Sequence, residues 1–273
     1  MPTLVDRDRT IELLRGEFAS ISEFGGGLDP GDWATPSCLP GWSVHDVLAH
    51  MVGTESMLAG VAAPEADISH LEHPKNPIAQ GNEVWVESMR SWSDAQLFDR
   101  FAEVTKERLA ALDAMTQADF DAPSWTPVGK DETYGRFMRV RHFDCYMHEH
   151  DMRLAVGAPT RDDPDDLASC LDEVETGLGY IVGRRAGLPD GSRVRFELEG
   201  PASRTVLVAV DGRAAVVDAL EGAATVEVHM PTPLFLRLVG GRDDADRERL
   251  GRVELAGDVA LGEQLVANLA FTI

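Results

Sequence analysis

Lysine and cysteine are almost missing from this chain. Of its 273 residues only Lys75, Lys106 and Lys130 are lysine, and arginine supplies the rest of the 25 basic residues, a bias expected of a GC-rich genome. The three cysteines, Cys38, Cys145 and Cys170, have no paired spacing and no CxxC. That pattern argues against a disulfide framework and a thiolate zinc site, so a metal would have to be held by histidine and carboxylate. Basic charge as a whole is scarce: 47 acidic side chains leave a formal charge of −22 and a pI of about 4.6. Nucleic acid and anionic membrane surfaces are repelled by such a chain. No apolar run reaches the roughly 18 to 20 residues of a membrane span. The first residues, Met1-Pro2-Thr3-Leu4-Val5-Asp6, lack the basic-then-apolar order of a secretion signal, and a cytoplasmic protein is expected. What is present, 44% hydrophobic and 26% charged residues, is the composition of an ordinary globular protein with a sizeable core.

The hydrophobic period changes along the chain. Steps of three and four recur through the first half and alternation marks the last third, which predicts a helical domain over 1–188 and a smaller α+β domain over 189–273. Ile11, Leu14, Phe18 and Ile21 share one helical stripe, ended by Gly25-Gly26-Gly27. Ser43 followed by Asp46 reads as a capping box opening a second helix that runs to about Ala59. Further helices are expected at 83–92, 93–115 and 132–155, with 119–129 as a loop. The acidic run Asp162 to Asp166 opens one more helix, striped by Leu167, Leu171, Val174, Leu178 and Ile181. Beyond it, Val194, Phe196 and Leu198 alternate, as do Val206, Val208 and Val210, and Asp211-Gly212 marks a hairpin. A strand at 226–228, a helix after Thr232-Pro233, a strand at 253–255 and a helix over 259–270 complete the expected domain.

Asp144, His148 and Asp151 stand at i, i+4 and i+7 on the face that also carries Phe137 and Val140. Ionisable groups in an apolar stripe must be paired, face a cleft or bind a cation. On the second helix His50 lies beside the stripe Val44, Val47, Leu48, Met51 and Leu58. His50, Asp144 and His148 together offer two nitrogens and an oxygen, a set suited to zinc or another divalent ion with a position left open, and Asp151 could orient His148. Each residue also has a plainer reading: His50 as a satisfied core or surface histidine, and Asp144 with His148 as an ordinary i, i+4 pair. His45 and His150 are expected at the surface, Cys145 in packing and Ser43 as a cap. His70, His73 and His142 belong to no constellation.

The segments Trp33, Pro36-Ser37-Cys38-Leu39-Pro40-Gly41-Trp42-Ser43-Val44-His45-Asp46-Val47-Leu48-Ala49-His50 and Arg141-His142-Phe143-Asp144-Cys145-Tyr146-Met147-His148-Glu149-His150-Asp151-Met152-Arg153 resemble the two motifs of the DinB-fold superfamily, in its mycothiol-dependent maleylpyruvate isomerase-like branch. The strand-rich tail resembles that branch's C-terminal domain, of sterol-carrier-like topology. The resemblance implies a four-helix bundle in which His50, Asp144 and His148 hold a divalent metal, and mycothiol as a thiol cosubstrate. It also implies an assisting arginine from the C-terminal domain, matched here to Arg242. The isomerase commonly has glutamate at the middle ligand, where this chain has Asp144, one methylene shorter.

The implied activity is a metal-dependent thiol S-transferase or a thiol-assisted isomerase acting on a small electrophile, as a monomer or homodimer. The alternatives are a metal- or ligand-binding stress protein without turnover, and a C-terminal domain that carries an apolar small molecule.

Overall fold

The computed structural model describes residues 2–127, 129–242 and 251–271. The chain divides into two compact units, Met1–Arg161 and Asp162–Thr272.

The first unit is helical. α1 (Arg7–Gly26) is capped by Asp6, whose side chain accepts from the Arg9 amide, and buries Ile11, Leu14, Phe18 and Ile21. α2 (Val44–Leu58) starts on the full Ser43/Asp46 capping box. α3 (Pro77–Met89) begins earlier than the hydrophobic period suggested, because Asn76 caps it and Pro77 suits its first turn. α4 (Asp94–Asp113) opens on a second capping box, Ser93 with Gln96. The expected loop at 119–129 instead holds a short helix, α5 (Gln117–Phe120), and an antiparallel pair, β1 (Pro123–Thr126) and β2 (Gly129–Thr133). Because Glu132 lies in β2, α6 (Tyr134–Ala155) begins after Thr133, which caps it.

Contacts of α1 with α4 and α6, and of α2 with the same two helices, close a four-helix ring, and α3 packs on α2. Its core includes Leu14, Phe18, Val47, Leu48, Met51, Leu97, Phe101 and Met138. Phe18 meets Phe101 edge to face, with ring centroids 6.2 Å apart. At Gly53 the helices approach so closely that a Cβ would lie 2.6 Å from the Cβ of Trp85.

The second unit is α+β. α7 (Pro164–Tyr180) is followed by a π turn at Ile181–Arg185. Then come β3 (Arg193–Glu199), β4 (Arg204–Asp211), β5 (Arg213–Val217), β6 (Val226–Pro231), α8 (Thr232–Val239), β7 (Glu254–Gly257) and α9 (Val259–Val266). The sheet order is β5-β4-β3-β6-β7, with β3 and β6 parallel and the other pairs antiparallel. The alternation in β3 buries Val194, Phe196 and Leu198, and Gly212 turns the β4–β5 hairpin at φ +63°.

The boundary between compact units thus falls after Arg161, whereas the change of period had placed it after residue 188. The reason is packing: the stripe of α7 is fully buried and the helix lies against β4, β5 and α8. Gly179 of α7 is so close to the sheet that a Cβ would sit 2.7 Å from the Ala214 carbonyl oxygen. A helix that covers a sheet belongs with that sheet although its own period is helical.

Candidate metal centre

The packing of α2 on α6 brings His50 to Asp144 and His148. His50 Nε2 stands 3.3 Å from Asp144 Oδ2, and His148 Nε2 stands 3.5 Å from Asp144 Oδ1. The two imidazole centroids are 4.8 Å apart with planes at 70°, and one donor atom from each of the three residues lies within 4.8 Å of the others. A tetrahedral ion with bonds of about 2.0–2.1 Å needs its donors roughly 3.3 Å apart, so the nitrogen–oxygen spacings suit a small divalent ion.

Burial lowers the pKa of His50 against the raising effect of Asp144, which favours the neutral, ligating imidazole. Burial would raise Asp144, but His148, Arg141 and His50 outweigh it and hold the carboxyl well below its usual range. The Asp144 side chain keeps 30% of its surface exposed, so the cluster is not sealed.

Asp151 acts behind the cluster. Its Oδ2 is 3.2 Å from His148 Nδ1, which turns Nε2 of that ring towards Asp144. Its Oδ1 accepts from the Cys38 thiol at 3.3 Å, tying α6 to the turn before α2. His50 Nδ1 is buried and has no hydrogen-bond partner among the described residues, so only its Nε2 edge is engaged.

Several neighbours of the cluster were not foreseen from the sequence. The ring of Trp42 lies 5.3 Å from that of His50 and 6.1 Å from that of His148, forming a wall beside both. Trp42 is held by Glu83, a carboxylate 1% exposed that accepts from Trp42 Nε1 at 2.7 Å and Arg90 Nη2 at 2.9 Å, with His73 Nε2 at 3.0 Å. His73, which had no constellation in the sequence, is therefore part of this support. On the other side Arg141 bridges Asp144 and Glu55, and Glu55 also accepts from Arg108 Nε at 2.7 Å. A signal for this existed. Glu55 occupies the position between Met51 and Leu58 in the apolar stripe of α2, and Arg141 precedes Asp144 by three residues on α6.

Two histidines expected at the surface are buried. His45 is 8% exposed because Nδ1 meets Asp94 at 2.9 Å and Nε2 meets the Met89 carbonyl at 3.2 Å. His150 is 2% exposed, packed at a tilt against the Tyr146 ring with centroids 4.2 Å apart and Nε2 3.0 Å from the Arg161 carbonyl. Ser43 is the cap of α2. Cys145 is buried against Arg141, and burial pushes its thiol well above the ordinary value. Arg242 lies in the second unit, where its Nη1 donates to the Gly240 carbonyl at 2.6 Å.

A four-helix bundle with a two-histidine, one-carboxylate cluster, followed by an α+β unit, defines a two-domain protein with a candidate metal centre in its first domain. Residues 14–153 match the mycothiol maleylpyruvate isomerase N-terminal domain, and residues 168–264 match the C-terminal domain of the same family. The chain belongs to that family.

A crystal structure of mycothiol-dependent maleylpyruvate isomerase is similar to it at 16% identity and a TM-score of 0.62, over 92% of this chain and 93% of that one. A histidine-to-alanine mutant of the isomerase is similar at 17% identity and a TM-score of 0.60 over the same shares. At these identities the likeness establishes the fold. No curated protein matches the sequence. Among the described residues no helix is long and apolar enough to cross a membrane.

Proposed function

We propose that this chain is a metal-dependent enzyme that uses a low-molecular-weight thiol, mycothiol, in S-transfer to a small electrophile or in thiol-assisted isomerisation of one. The observation that carries the reading is the convergence of His50 Nε2, Asp144 and His148 Nε2 in the fold of this family. A divalent ion there, zinc by its donor set, would supply an open position at which a thiol is held as thiolate.

The protein's own groups prepare that position. Asp144 stays ionised, Asp151 fixes the direction of His148, and the burial of His50 keeps its imidazole neutral. Trp42 presents an aromatic face beside both histidines, a surface for the apolar part of a bound small molecule. Arg242, matched to the assisting arginine of the family's C-terminal domain, is assigned that catalytic role. The protein works in the cytoplasm, as a monomer or homodimer, on small molecules.

Elemental analysis of the wild type, His50→Ala and His148→Ala, each assayed for mycothiol consumption with a panel of electrophiles, tests this. Metal bound by the wild type and lost from both variants, with thiol consumption falling alongside, supports the enzyme. Metal bound without thiol turnover replaces it with a metal-binding protein, and no metal in any preparation refutes the site.

A further inference from the structure

We propose that Arg141 is a counter-charge that weakens the hold of the His50–Asp144–His148 cluster on a divalent cation and, in doing so, leaves that cation receptive to an anion. The inference rests on the metal reading of the cluster.

The Arg141 side chain is 4% exposed and is engaged on both sides. Nη1 lies 2.5 Å from Asp144 Oδ2, the same oxygen that faces His50. Nε and Nη2 reach Glu55 Oε1 at 3.2 and 2.9 Å. Glu55, itself 1% exposed, gives its other oxygen to Arg108, 7% exposed. Asp144, Arg141, Glu55 and Arg108 thus form a row of alternating charge that cancels in pairs, buried from Arg141 inward and open to solvent at Asp144.

The carboxylate offered to a cation is therefore already compensated. With both imidazoles ligating as neutral rings, the further carboxylate in contact with the cluster is Asp151, behind His148, one negative charge against the two of a divalent cation. In a poorly screened interior such an excess of positive charge lowers cation affinity and raises anion affinity, the divalent cation being affected the more because the energy scales with the product of the charges. A guanidinium that served only to hold helices in place would behave differently, since its loss would weaken both.

The test uses full-length, metal-stripped protein. Cobalt(II) affinity is measured by competition with a chromophoric chelator, and azide is then titrated into the cobalt-loaded protein through its visible spectrum. R141Q should bind cobalt(II) about tenfold or more tightly than the wild type, and azide about tenfold or more weakly. E55Q leaves the charge of Arg141 less compensated and should shift both affinities the opposite way. R141K keeps the charge and should stay within roughly threefold of the wild type on both.

Weaker cobalt(II) binding by R141Q, or both affinities unchanged, overturns the proposal. If R141Q does not fold, the sign of the E55Q shifts decides in the same manner. Wild-type protein that takes up no cobalt(II), or His148→Ala protein that binds it as tightly as the wild type, overturns the metal reading and this inference with it. Wild-type binding that depends on His148, with R141Q unchanged, overturns the inference alone.

Discussion

Replacing Glu83 by leucine should destabilise the helical unit by about 3 kcal/mol. The carboxylate is 1% exposed, with Trp42 and His73 on one oxygen and Arg90 on the other. Deleting one partner of a buried ion pair costs about 3–5 kcal/mol, and stranding a buried neutral donor about 1–3 kcal/mol. The low end applies here. Arg90 is 32% exposed and keeps Glu87 at 2.7 Å and Asp46 at 3.2 Å, and His73, 27% exposed, can turn to water. The Trp42 N–H is then the donor left without its acceptor.

For a unit of this size 1 kcal/mol corresponds to roughly 2–4 °C, so thermal unfolding followed by circular dichroism at pH 7 should show a Tm lower by about 6–12 °C. Glu83→Gln, which keeps an acceptor, should lose less. Acid provides a second readout. Burial pushes the Glu83 carboxyl up, but hydrogen bonds from His73, Trp42 and Arg90 outweigh it and the pKa is lowered. The ionised form is therefore favoured in the folded protein: its contribution is complete above the unfolded pKa and is lost as pH falls through the lower folded value. The stability gap between wild type and Glu83→Leu should narrow below about pH 4. A loss under about 1 kcal/mol at neutral pH, or a gap that widens in acid, would refute the reasoning.

Three further outcomes are expected. Gly53→Ala places a methyl 2.6 Å from the Trp85 Cβ, an atom close to the backbone that cannot swing away, and should cost about 1–3 kcal/mol in urea denaturation although alanine favours helix; a neutral or stabilising effect counts against the packing described. Gly179→Ala sets a methyl 2.7 Å from the Ala214 carbonyl oxygen and should lower the stability of the second unit by a similar amount, read from the same denaturation curves; an unchanged curve would place α7 farther from β5. A thiol reagent such as 5,5′-dithiobis(2-nitrobenzoate) should modify one cysteine quickly in the native protein, half-buried Cys38, while Cys145 and Cys170 react only after denaturation, and two fast thiols would contradict their burial.

Much of the fold was legible because its signals are local. The Ser43/Asp46 box, the stripe of α1, the alternation of β3 and β4 and the Asp211-Gly212 hairpin each need only a few adjacent residues. The β1–β2 pair was missed because its strands are short and carry little alternation. The unit boundary was misplaced because a helix's period does not reveal what its apolar face covers, and the face of α7 covers a sheet formed later in the chain. In the candidate site, the relation of Asp144, His148 and Asp151 follows from helical spacing, and His50 was drawn in by its place beside a stripe. Trp42, Glu83 and His73 were not, because they meet through segments far apart in sequence and no single spacing joins them.

The charges around the site show how such a missing relation could be read. Glu55 sits in an apolar stripe, and a carboxylate there is costly unless neighbouring helices bring it counter-charges. Arg108 of α4 and Arg141 of α6 both do so, which joins three helices at one carboxylate. Hydrophobic contacts tolerate small slips between helices, whereas this junction is satisfied only when the three registers agree. The register that satisfies it also places Arg141 against Asp144. Asp144 lies three residues beyond that arginine, so the cluster and the junction are set by the same packing. A charge inside a stripe is therefore best read as a demand on the neighbouring helices before it is read as a ligand.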